Sequence, residues 1–140
     1  MGKRVVDFEE KTETGTFELE GGGKVHLRLL TVGDLKAMQK ACVKKVVEYP
    51  LLEDPATGKK RHVRFEAEEF DAEKFASMGH DRNITGWDDL FDRNEKPIPV
   101  TPENKDLLME RVPAFAEAVT AGNKALREAE KARTEQVAKN

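Results

Sequence analysis

The chain has 140 residues, enough for one compact domain with an appended arm, and 24 Lys+Arg against 27 Asp+Glu give a net charge of −3. Charged residues make up 36% and hydrophobic ones 38%, so the core is modest and the surface polar. A balance with acid slightly ahead argues against a general nucleic-acid binder, whose domain is usually strongly basic. No run nears the ~18 to 20 apolar residues of a membrane span.

Residues before about Phe8 are expected to form a flexible lead-in, and the start MGKRVVDFEE has no apolar signal core. Thr16-Phe17-Glu18-Leu19-Glu20 and Lys24-Val25-His26-Leu27-Arg28-Leu29 both alternate polar and apolar around Gly21-Gly22-Gly23, which predicts a β-hairpin. Thr31, with Asp34 three residues on, predicts a capped helix start. Leu35, Met38, Cys42 and Val46 then follow at helical spacing, and the helix is expected to end near Tyr49-Pro50. A second hairpin is suggested by Val46 to Glu53, a turn at Asp54-Pro55-Ala56-Thr57-Gly58-Lys59, and Arg61 to Phe65. Its first arm competes with the end of the helix. Asp71 starts a short helix with Phe70, Phe75 and Met78 as candidates for burial, broken by Gly79 and Asn83.

Ile84 to Phe91 holds the only tryptophan, Trp87; Asp92 to Lys96 is a polar turn, and Pro97-Ile98-Pro99-Val100 is extended. Thr101-Pro102-Glu103 is a helix start with Leu107 and Leu108 directed to the core; Pro113 restarts the helix, and Phe115, Ala118 and Val119 continue its apolar face. Beyond Gly122 that face thins to Ala125, Leu126, Ala129 and Ala132. This predicts an α+β domain over residues 1–124, made of N-terminal hairpins packed with a few helices. Residues 125–140 form a charged, frayed helical arm.

Catalytic and metal chemistry find little support. One cysteine, Cys42, excludes an intrachain disulfide, and its helix register places it as a core thiol. His26, His62 and His80 lack helical zinc spacing, and the adjacent His80-Asp81 reads as a solvated pair. Asp88, Asp89, Asp92 and Asn94 fail the EF-hand pattern: counted from Asp89, position six is Asn94 and position twelve Val100. A capped turn fits them better. Gly21-Gly22-Gly23 is not followed by the Lys-Ser/Thr of a phosphate loop, so no cofactor, metal or enzymatic activity is expected. Trp87, Phe91, Ile98 and Val100 either close a small core, with Trp87 as its anchor, or line a groove for a partner. Phe115 and Leu126 complete the candidate partner-binding set.

Ile84-Thr85-Gly86-Trp87, an acidic turn, Lys96-Pro97-Ile98-Pro99-Val100-Thr101-Pro102-Glu103-Asn104-Lys105, Leu107-Leu108 and Val112-Pro113-Ala114-Phe115 together resemble the tail assembly chaperones of tailed bacteriophages and prophages. The N-terminal hairpin, the helix start at Leu30-Thr31, the charged hairpin and the helix start at Phe70-Asp71 follow the same order. Related proteins often carry glycine before Lys-Pro, where this chain has Glu95; Asn94 is expected to supply the left-handed geometry instead. The resemblance implies a non-enzymatic factor that binds the tape measure protein, recruits tail-tube subunits, acts in the bacterial cytoplasm and is absent from the mature virion. It implies neither nucleic acid nor membrane as partner and leaves homo-oligomerisation open. A structural component of the tail or connector is the alternative.

Overall fold

The structure, a computed structural model, describes residues 12–139, with side chains through residue 136. The expected lead-in before Phe8 lies outside them. The fold is α+β. β1 (Thr14–Glu18) and β2 (Lys24–Arg28) form the first hairpin, antiparallel with Phe17 opposite Val25. The three glycines between them all have positive φ. Gly23 is the constrained one: at φ 90°, a Cβ there would also lie 2.5 Å from Leu90 Cδ2.

α1 (Val32–Cys42) starts at Thr31, whose side chain accepts from the Asp34 N–H while the Asp34 carboxylate accepts from the Thr31 N–H. That is a complete capping box with aspartate in the usual glutamate position. The helix stops at Cys42, earlier than expected. β-branched Val43, Val46 and Val47 instead enter β3 (Val43–Glu48), which pairs antiparallel with β6 (Phe65–Phe70). Ladder pairing outweighs the helical spacing that places Val46 in register with Cys42. Beyond this pair, β4 (Leu51–Glu53) and β5 (Lys60–His62) carry the second hairpin outward to its turn.

α2 (Ala72–Asn83), capped by the Asp71 side chain, runs through Gly79 rather than breaking there. A Cβ at Gly79 would lie 3.2 Å from Met38 Cε, so the glycine serves close approach of α1 to α2. β7 (Ile84–Asp88) adds to β2, giving a three-stranded sheet in the order β1-β2-β7. The register slips after His26, so Thr85 is the extra residue of a bulge. Ile84 and Trp87, three apart, are thereby both buried against the core.

α3 (Pro102–Arg111) and α4 (Pro113–Lys139) complete the chain. α4 lies across β1 and β2. Its closest approach is at Gly122, where a Cβ would sit 2.7 Å from both Leu27 Cδ1 and Phe17 Cδ2. Val25, Leu27, Ile84, Trp87, Leu108, Phe115, Val119 and Leu126 form the main core. α4 continues without interruption past residue 124 into the segment read as a charged helical arm. One expectation about that arm is corrected. Leu126 is 4% exposed, packed over Gly15, because the stripe Phe115-Val119-Gly122-Leu126 is the face laid on the sheet. Ala125, Ala129 and Ala132 are exposed, as a thin stripe predicts. Farther on, Arg133 Nε donates to Glu13 Oε1 at 2.9 Å, tying this end of α4 to the segment before β1.

Candidate partner-binding groove

The loop after β7 is folded by its own backbone. Asp92 Oδ1 accepts from the N–H groups of Asn94 and Lys96, which makes the aspartate cluster a capped turn. Glu95, at φ 58°, takes the left-handed position; Asn94 does not, contrary to expectation. The turn returns the chain so that Phe91 bridges Pro97 and the Ile98 N–H donates to Leu90. The indole N–H of Trp87 donates to the Ile98 carbonyl at 2.9 Å, and its ring meets Phe115 edge-on at 5.9 Å. Asn104 Nδ2 donates to the Pro99 carbonyl, and Thr101 caps α3. The loop is thus pinned to β7 at one end and to α3 at the other.

Between loop and helix runs a groove of about 330 Å³, lined by Asp92, Ile98, Pro99, Asn104, Leu107, Leu108, Arg111 and Val112. Leu108 is buried at its base and Ile98 half-buried. Of its lining, Leu107 is 39% exposed and Val112 37%; Phe91 and Val100, each next in sequence to a lining residue, are 56% and 47% exposed. A chain with so modest a core leaves Leu107 and Val112 in water along one concavity, and Phe91 and Val100 in water on its loop. Arg111 adds a cation beside them that makes no ion pair among the described residues, whereas the Asp92 carboxylate is engaged by its own loop.

Of the sequence-derived partner residues, Ile98 lines this groove, while Phe91 and Val100 are exposed on the same loop without lining it. Trp87, at 8% exposure, does neither: it anchors the core beneath the loop. Phe115 is fully buried and Leu126 nearly so, which removes both from any docking surface, because they sit on the sheet-facing stripe of α4. Leu107, expected to be directed to the core with Leu108, is 39% exposed and lines the groove instead, because residues adjacent on a helix point about 100° apart and both cannot be central to one buried face. Arg111 and Val112 escaped the sequence reading.

Two polar clusters have catalytic residue types. Thr16 Oγ1 and His26 Nδ1 are 2.8 Å apart, and His26 Nε2 and Asp88 Oδ2 are also 2.8 Å apart, a hydroxyl–imidazole–carboxylate chain across three strands. It lies on the exposed outer face of the sheet, where an oxyanion would be in water rather than among preorganised donors. In the second cluster Ser77 and His80 both bond Asp106, at 2.6 and 2.9 Å, and clasp α2 to α3. Burial pushes the Asp106 carboxyl up, but the bonds from Ser77 and His80 outweigh it and leave the group below its ordinary value. No cluster of three His, Cys, Asp or Glu side chains suited to a metal occurs among the described residues, and none of their helices is long and apolar enough to cross a membrane. Comparison with family models, curated proteins and solved structures found no match to this chain.

Proposed function

We propose that the protein is a non-enzymatic assembly chaperone of the phage tail type, and that the groove between the 89–100 loop and α3 holds an apolar segment of the tape measure protein. The observation that carries this reading is a groove over buried Leu108, lined by Ile98 and by the exposed Leu107 and Val112, with Phe91 and Val100 exposed on the same loop. An aggregation-prone partner is kept soluble by a surface of this kind, apolar at its centre and polar around it. The polar composition of the rest of the chain keeps the complex in solution. On this proposal the protein acts in the bacterial cytoplasm, also receives tail-tube subunits, and leaves before the virion is complete.

Co-expression tests it. Wild-type chain should keep the tape measure protein in the soluble fraction, and Leu107→Asp or Val112→Asp should lose that effect while melting like the wild type. Equal solubilisation by both variants overturns the groove assignment. A second reading, a structural component of the tail or connector, draws on the projecting hairpin of residues 43–70, whose strands have no further sheet partner among the described residues. Mass spectrometry of purified particles separates the two, since only the structural component stays in them.

A further inference from the structure

The hairpin of residues 43–70 keeps one register along its length. Glu48 faces Phe65 and Leu51 faces His62, three residues on along each strand, so no bulge interrupts it. The Val63 N–H donates to Pro50 and the Asp71 N–H to Cys42. In an antiparallel ladder this alternation turns residues 61, 63, 65, 67 and 69 toward the partner strand. The backbone groups of Lys60, His62, Arg64, Glu66, Glu68 and Phe70 therefore face outward. No third strand covers them among the described residues, where β3-β6 and β4-β5 are two-stranded sheets. Isolated two-stranded hairpins are marginal in water, and open edges invite another strand. Phe65, midway along this strand, is 56% exposed.

The charges along this strand are antisymmetric about Phe65. Lys60, Arg61 and Arg64 precede it; Glu66, Glu68 and Glu69 follow it. We infer that the β5–β6 edge pairs antiparallel with the same edge of a second copy, on a two-fold axis at Phe65. In that register Arg64 stands opposite Glu66 of the second copy, His62 opposite Glu68 and Arg61 opposite Glu69, and no like charges meet. The outward backbone groups also coincide, because 64 with 66, 62 with 68 and 60 with 70 are all outward-bonding residues. Phe65 meets its counterpart at a non-hydrogen-bonded position, where side chains come closest. The Arg64–Glu66 pair within one copy, at 2.9 Å and with both side chains largely exposed, is open to sharing with its counterpart to form a four-charge cluster. The opposite edge carries Lys44, Lys45, Glu48 and Glu53, and placing it on itself about its centre sets Glu48 against Glu48. The two-fold contact closes on itself, giving a dimer with a four-stranded sheet.

Sedimentation analysis of the full chain reads the outcome directly. The wild type should reach about 32 kDa, twice the 15.8 kDa of one chain. Arg64→Glu and Glu66→Arg should each weaken self-association by about tenfold or more, since each sets like charges opposite one another twice per dimer. The double variant restores the antisymmetry and should restore the dimer. Phe65→Cys should form an interchain disulfide on oxidation and Arg61→Cys should not, because only residue 65 faces itself. This second measurement decides the matter if a charge variant fails to fold. A wild type that stays monomeric at its highest soluble concentration overturns the inference. So do oligomers larger than a dimer, single variants as dimeric as the wild type, or cross-linking through residue 61 rather than 65. None of these outcomes depends on the groove or its occupant.

Discussion

Leu126→Ala tests whether the end of α4 belongs to the fold. Leu126 is 4% exposed and packs over Gly15, where even a methyl group would come within 3.2 Å of its Cδ2. A Leu→Ala change in a core costs about 2 to 5 kcal/mol, the transfer of the lost methyl groups plus the cavity left behind. Leu126 is at the end of the buried stripe, where neighbours can partly collapse, so about 3 kcal/mol is the expected loss. Unfolding entropy is about 2.1 cal/mol/K per residue, or about 0.3 kcal/mol/K for 140 residues, so the midpoint should fall by about 10 °C. Circular dichroism melts of the wild type, Leu126→Ala and Ala125→Ser measure it, the last being an exposed neighbour that should not move the midpoint by more than about 2 °C. Removing residues 127–140 loses the Arg133–Glu13 pair, which is only partly shielded and worth under about 1 kcal/mol, so that truncation should cost no more than about 3 °C. A Leu126→Ala variant melting like the wild type would refute the packing described for α4.

Three further outcomes are expected. Glu95→Gly should raise stability by about 0.5 to 1 kcal/mol in a denaturant titration, because it relieves a left-handed residue, whereas Asn94→Gly should give no gain. Gly122→Ala should lower stability by about 1 kcal/mol, since overpacking against Leu27 and Phe17 outweighs the gain in helix propensity; a higher midpoint would show that α4 can lift from the sheet. Hydrogen bonds from Arg28 and then from the Thr31 N–H hold the Asp34 carboxyl well below the usual carboxylate range. Its contribution is therefore present above the unfolded-state value of about 4 and is lost as pH falls below it, so Asp34→Asn should lie below the wild type at pH 7 and converge with it in acid melts.

What could be read from residue types alone was local. Alternation around Gly21-Gly22-Gly23, the Thr31–Asp34 box and Thr101-Pro102-Glu103 each carry their own signal within a few residues, and each appears in the structure. Where a distant partner decides, residue types mislead. Val46 continues a helical spacing, yet its ladder partner, Ala67, is 21 residues away. Gly79 looks like a helix breaker until Met38 is seen against it. Asn94 tolerates the left-handed region better than Glu95, but the two bonds of Asp92 Oδ1 and the return to Lys96 place the turn so that Glu95 occupies it. The groove was half visible: Ile98 is set out by flanking prolines, while Leu107 and Val112 needed the orientation of α3. Phe115 and Leu126 were misassigned because an apolar residue of a helix looks the same in sequence whether its face meets a partner or its own sheet.

The bond from the Trp87 indole to the Ile98 carbonyl also has a spectroscopic consequence. With only one tryptophan in the chain, all indole emission comes from the underside of the groove wall. A segment entering the groove and shifting the 89–100 loop changes the polarity and hydrogen bonding of that single fluorophore, so the protein carries its own reporter of occupancy, readable in a titration without any label.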